Sequence, residues 1–203
     1  MELSTDTPPA LVPLSWLFGV WVGAGVVGYP TMETDLRFGQ EVEFSHDGRP
    51  FLSYRSRTWL LDEDGNQVRP LATETGYWRT AGAADAGGSA VELLLAHPTG
   101  FVEIYHGAVE GPRVTLATDV VARTSTAKEY TAASRLYGLV EGDLLWTMDM
   151  AAVGHPLTSH ASGRLKRVNL SCAPWPTPRR AACAARGAPN PIRSRSRCAS
   201  VVC

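Results

Sequence analysis

The sequence predicts an all-β fold, an antiparallel up-and-down barrel of about ten strands followed by a disordered C-terminal tail. Three observations carry this. Short segments with two-residue alternation recur, Gly- and Asp-rich turn signals separate them at short, even intervals, and no long stretch keeps a helical period. With 203 residues, 44% hydrophobic and 19% charged, the chain has ample length for one buried core and too much apolar content for overall disorder. A meander of so many strands leaves two exposed edges, and closing the sheet removes both. A closed sheet of about ten strands is wider than its own side chains can fill, so the interior is expected to enclose a cavity for a small ligand.

Residues 1–13 are Pro-rich and read as a lead-in, with a helical turn around Leu14–Phe18 before the first strand. Phe38–His46 alternates, with Phe38, Gln40, Val42 and Phe44 on one parity. Asp47-Gly48 signals a hairpin into Phe51–Leu61, and Asp62-Glu63-Asp64-Gly65-Asn66 is the next turn. Leu71–Arg79, Ala90–His97, Phe101–Val109 and Arg113–Val121 continue the pattern. Ser125–Tyr137 mixes helix formers (Ala127, Lys128, Glu129) with strand formers (Thr126, Tyr130, Thr131) and is read as strand. Leu136–Val140, a turn at Glu141-Gly142-Asp143, Leu144–Ala151 and Pro156–Val168 complete the barrel, which occupies 14–168.

Charge and composition exclude several classes. From 169 to 203 there are six Arg and no acid, so the remaining 13 basic and 20 acidic side chains give the body a charge of −7, unsuited to tracking a phosphate backbone. Thr7–Met32 carries no charge, but Pro8, Pro9, Pro13 and Pro30 with four Gly break it too often for a membrane span, and no basic flank marks it as a signal peptide. A cytoplasmic protein without membrane partners is expected. Gly23-Ala24-Gly25-Val26-Val27-Gly28 fits GxGxxG, yet Tyr29-Pro30 follows at once where a dinucleotide site needs a helix. All four Cys (Cys172, Cys183, Cys198, Cys203) lie in the 169–203 segment at spacings unlike a zinc site, and that segment is expected to be a solvated tail.

Chemistry concentrates near the C-terminal end of the body. Leu144, Trp146, Met148 and Met150 share one parity and make an apolar, sulfur-bearing face expected to point inward. The chain turns at Gly154-His155-Pro156 and returns antiparallel, bringing His160 beside that face. An imidazole against a Met/Trp wall suits an axial ligand to haem iron, although an ordinary core or rim histidine would look the same in sequence. His46, His97, His106 and His155 lack the spacing of a zinc site, and no HExxH or GxSxG motif is present.

Gly19-Val20-Trp21-Val22-Gly23-Ala24-Gly25 is a GxWxGxG motif, followed by Tyr29-Pro30-Thr31. Together with Phe51-Leu52-Ser53-Tyr54, Arg57-Thr58-Trp59, Glu74-Thr75-Gly76-Tyr77-Trp78-Arg79, Ala96-His97-Pro98-Thr99-Gly100, Thr126-Ala127-Lys128-Glu129 and Met150-Ala151-Ala152-Val153-Gly154, it resembles the nitrobindin family from about Leu14 to Val168. The resemblance implies a ten-stranded barrel, similar in architecture to lipocalins and fatty-acid-binding proteins, that holds one haem b per subunit. It implies ferric iron that binds nitric oxide and isomerises peroxynitrite to nitrate. It places the axial ligand at His160 and a pocket methionine at Met150, with Lys128 and Thr31 near the haem edge, where a cation and a hydroxyl meet propionates. Ala161 stands where the family usually has a larger aliphatic residue, and with Gly163 this predicts loose packing behind the imidazole. The partners implied are small molecules, with a homodimer left open. The alternative function is a non-catalytic haem or nitric oxide sensor, or a lipocalin-like carrier of an apolar ligand.

Overall fold

A computed structural model describes residues 7–84 and 87–168; the expected tail at 169–203 lies outside the described residues. The strands are β1 (Gly19–Val27), β2 (Leu36–Ser45), β3 (Leu52–Leu61), β4 (Gln67–Ala83), β5 (Ser89–His97), β6 (Phe101–Glu110), β7 (Arg113–Arg123), β8 (Tyr130–Val140), β9 (Asp143–Ala152) and β10 (Thr158–Val168). Each pairs antiparallel with its sequence neighbour, and β1 also pairs with β10, so the sheet is closed. The Ser125–Tyr137 ambiguity resolves at Tyr130: its first residues form the connection before β8, and the rest joins Leu136–Val140 in one strand. Among the described residues no helix is long and apolar enough to cross a membrane.

Closure depends on small residues at the seam. On β1 the inward parity runs Trp21, Gly23, Gly25, and the two glycines stand against the backbone of β10. A Cβ at Gly23 would come within 2.2 Å of the Arg164 carbonyl oxygen, and one at Gly25 within 2.1 Å of the Ser162 oxygen and 2.4 Å of the Phe38 ring. Only hydrogen side chains let the strands coil this tightly. The turn between β8 and β9 also matches its sequence: Glu141 and Gly142 both take positive φ (53° and 87°), as the tightest hairpin linkage requires.

Because the strands alternate in direction, the connections 28–35, 62–66, 98–100, 124–129 and 153–157 all open at one end. The other end is sealed by a 3₁₀ helix, Pro9–Leu17. Here the structure departs from the expected lead-in. Leu11, Leu14 and Leu17 are fully buried, and their three-residue spacing is the period of a 3₁₀ helix, which a search for 3.6 misses. The Thr80 hydroxyl donates to the Ala10 carbonyl (2.8 Å), the Trp21 indole to Leu17 (2.7 Å), and Arg167 to the carbonyls of Trp16 and Phe18.

The expectation of a cavity within the barrel is corrected in its extent. Trp78, Tyr105, Phe44, Leu93 and Leu116 are essentially inaccessible and fill the middle, with Trp78 edge-on to Tyr137 at 5.1 Å. Large aromatic side chains close a lumen that Val and Ala would leave empty. Space for a ligand is therefore sought at the open end, where Val27, Met32, Phe101, Met148 and Met150 pack on the core while staying only partly buried.

Candidate functional site at the open end of the barrel

His160 owes its place to an irregularity in β10. Ser159 faces Asp149 and Ala161 faces Met148, so His160 is an extra residue, a β-bulge, between two paired positions. Bulges bend a strand and re-aim a side chain. The imidazole Nδ1 lies 2.9 Å from the carbonyl oxygen of Gly28, and the Gly28 N–H donates back to the His160 carbonyl at 2.8 Å. A carbonyl oxygen only accepts, so Nδ1 carries the proton and Nε2 keeps a free lone pair.

The next residue, Tyr29, stands perpendicular to the imidazole, with ring centroids 5.5 Å apart. A cavity of about 330 Å³ lies here, bounded by Gly28, Tyr29, Asp35, Ser159 and His160. Burial holds His160 below the usual imidazole range; the Gly28 hydrogen bond opposes this, and the charge of Arg135 adds to the lowering. The ring is thus kept neutral, as a metal ligand must be. A neutral imidazole anchored through Nδ1, beside thioether and aromatic side chains, is a donor set that fits haem iron.

Residues 10–167 match the THAP4-like, heme-binding beta-barrel domain family. The chain belongs to that family. Membership of this heme-binding family indicates that the barrel binds haem. The chain is 58% identical over 178 residues to the ferric nitrobindin-like protein of Kineococcus radiotolerans, covering 83% of this chain and 99% of that protein. It is 46% identical to the peroxynitrite isomerase of Leifsonia xyli subsp. xyli, covering 82% of this chain and 98% of that one. The crystal structure of Rv2717c from M. tuberculosis superposes with a TM-score of 0.69 at 39% identity, over 81% of this chain and all of the other. The resemblance to nitrobindins read from GxWxGxG and the later blocks is thereby borne out.

Within this heme-binding barrel the residues singled out in sequence beside His160 separate into four groups. Met148 and Met150 belong to the open end, Met148 facing Ala161 across one ladder and Arg135 across the other. Trp146 lies deeper, its indole N–H donating to Gln40 Oε1 (2.8 Å), while Leu144 is 1% exposed opposite Leu165 and belongs to the packed core. The expected apolar wall thus narrows to the two methionines. Lys128 and Thr31 are exposed on the 124–129 and 28–35 connections, both at the His160 end. Gly19, Trp21, Gly23 and Gly25 serve barrel closure and the sealing of the far end. The looseness expected behind the imidazole is absent at Gly163, where the Trp146 indole lies 2.6 Å from where a Cβ would sit.

Sequence reading missed the polar cluster under the open end. Arg135, beside Met148, donates to both carboxylate oxygens of Glu74 (3.0 and 2.8 Å) and to the Tyr105 hydroxyl (3.0 Å). The fully buried Glu103 accepts from Tyr105 and Tyr130, and its Oε2 is 2.6 Å from His97 Nε2. Glu74, His97 and Glu103 bring ligand atoms within 4.8 Å of one another, as a metal site would, but the Arg135 guanidinium lies 2.8 Å from Glu74 and 3.7 Å from Glu103 and supplies the positive charge instead. Burial raises the Glu74 carboxyl, and the charge and hydrogen bonds of Arg135, with His97 and Tyr54, outweigh it and bring it to about 2.

That value sets a pH dependence. A carboxyl lowered from 4.5 to about 2 stabilises the fold fully above pH 4.5, and the contribution disappears as pH falls to 2. The size is roughly 3 kcal/mol at about 1.4 kcal/mol per unit. Urea unfolding at pH 5, 4 and 3 is expected to show a progressive loss of stability, with a shallower slope in Glu74→Gln. An equally steep slope in that variant would remove Glu74 as its source.

Proposed function

We propose that this barrel binds one haem b through His160 Nε2 and acts as a peroxynitrite isomerase, with nitric oxide as a further ligand. The observation that carries the reading is the His160–Gly28 contact at the open end, which leaves one imidazole nitrogen free on the strand paired with the one that carries Met148 and Met150. The names of the relatives, ferric nitrobindin-like protein and peroxynitrite isomerase, support the activity. Bound haem supplies an iron centre at which peroxynitrite, ONOO⁻, rearranges to its isomer nitrate, NO₃⁻. The chain's own residues orient and shield. His160 would hold the iron through Nε2, and the Gly28 carbonyl keeps the imidazole in the tautomer that leaves Nε2 free. Met148, Met150 and Phe101 would limit water around a bound haem, and Lys128 and Thr31 would offer a cation and a hydroxyl to its carboxylates.

Haemin titrated into the apo-protein is expected to raise a Soret band that breaks at one equivalent. Stopped-flow decay of peroxynitrite should then accelerate in proportion to the loaded protein. Uptake of haemin without acceleration would leave a haem or nitric oxide sensor, and no uptake would leave a carrier of another apolar ligand.

A further inference from the structure

We propose that Tyr29 is the positioning residue of the axial histidine: its hydroxyl ties the segment carrying the Gly28 carbonyl to the end of β9, and its ring sets the plane of the His160 imidazole. This rests on the reading of His160 as the iron ligand. The bulge takes His160 out of the regular ladder, so strand pairing alone does not hold its ring. Two contacts do, and both come from one dipeptide. Gly28 provides the acceptor for Nδ1, and Tyr29 provides a perpendicular face, with an interplanar angle of 90°.

What holds the dipeptide itself lies across the barrel seam. β1 ends at Val27; Gly28 keeps one backbone bond to β10 through its N–H and the His160 carbonyl, and beyond it Tyr29 belongs to a connection held by its side chain. The Tyr29 hydroxyl accepts from the Ala152 N–H (2.8 Å) and reaches the carbonyls of Ala152 (3.0 Å) and Met150 (3.2 Å). The β9–β10 ladder stops at the Thr158–Met150 pair, so beyond it Ala152 has no β10 partner. The phenol takes that partner's place. Tyr29 is 9% exposed, and His155 packs edge-on against its ring at 5.7 Å, which leaves it little freedom of its own. The connection also closes on itself, the Met32 N–H donating to the Tyr29 carbonyl at 2.8 Å. The chain of contacts therefore runs from the β9 backbone to the Tyr29 hydroxyl, to the Gly28 carbonyl, and to Nδ1 of His160.

Removing the hydroxyl while keeping the ring separates this role from ordinary packing. In Tyr29→Phe the Gly28 peptide keeps only the bond from its N–H to the His160 carbonyl and loses the tether to β9, so His160 is expected to leave the single Nδ1–H tautomer. Nitrogen NMR of histidine-labelled apo-protein at pH 8 reads this directly: wild type shows His160 protonated at Nδ1 alone, and the variant shows mixed tautomers. In the haem-loaded ferrous protein, the iron–histidine stretching band shifts to lower frequency in the variant. Haem transfer to a stronger acceptor should become about 10-fold faster, within the range for loss of a residue that orients a ligand. A variant with lower thermal stability but an unchanged tautomer and band would overturn the proposal, since that is what a purely structural tyrosine predicts. Wild type provides a check even where the variant does not fold, because His160 protonated at Nε2 in the apo-protein would overturn it as well. The apo spectrum is independent of haem uptake, so a protein indifferent to haemin would strike the functional reading alone.

Discussion

His160→Ala is expected to lose the Soret band of haemin-loaded protein and the acceleration of peroxynitrite decay, while the far-ultraviolet circular dichroism of the barrel stays unchanged. Loss of a residue that merely orients a ligand costs roughly 10–100-fold in metal affinity, so loss of the ligand itself should weaken haem retention by more than about 100-fold. The fold should tolerate the change. The ring is only half-buried at the open end, and the backbone bond from the Gly28 N–H to the His160 carbonyl survives truncation. A stability change within about 1 kcal/mol is expected, as for substitutions outside a packed core. Added imidazole, filling the space of the missing ring, should partly restore the band. A variant that kept a five-coordinate ferric spectrum without imidazole would show that another side chain holds the iron, and the tautomer argument at Gly28 would lose its relevance to function.

The strands were legible because each half of the pattern has a local cause. Alternation places side chains on two faces, and residues such as Gly142 permit the tight reversals between them. His160 was legible for the same reason: one turn at 153–157 puts it beside the methionine strand. Its orientation was not. The bulge is a property of two paired strands, and the Gly28 carbonyl comes from a residue 132 positions away that arrives only when β1 closes on β10. The polar cluster was hidden more deeply, because β6 runs against hydropathy. Val102 and Ile104 face solvent, 48% and 37% exposed, while Glu103 on the opposite parity is buried. An alternation read by hydropathy alone reverses this strand. What inverts it is the company of Tyr105, Tyr130, His97 and Arg135 on four other positions of the sheet, none adjacent in sequence except Tyr105 two residues on.

Arg135→Met should be among the most destabilising single changes in the barrel. The guanidinium is almost wholly inaccessible and is the cation between Glu74 and Glu103, with further hydrogen bonds to the hydroxyls of Tyr105 and Tyr137. Burial lowers its proton affinity, but the charges of the facing Glu74 and Glu103 outweigh this and raise it well above the ordinary arginine value. Methionine fills a similar length yet strands two buried carboxylates without that partner, and breaking a buried pair from one side typically costs about 3–5 kcal/mol. For a domain of this size that corresponds to a fall in Tm of roughly 10 °C. The carboxyls respond by taking up protons, so the variant should gain stability on mild acidification, where wild type loses it. Replacing the charges together, as Glu74→Gln with Glu103→Gln and Arg135→Met, should recover much of the loss, because no uncompensated charge remains and the amides retain partners among the surrounding tyrosines. If the triple variant is as unstable as the single one, the cost lies in lost packing around Met148 and Tyr105 instead, and the cluster does not owe its stability to mutual neutralisation.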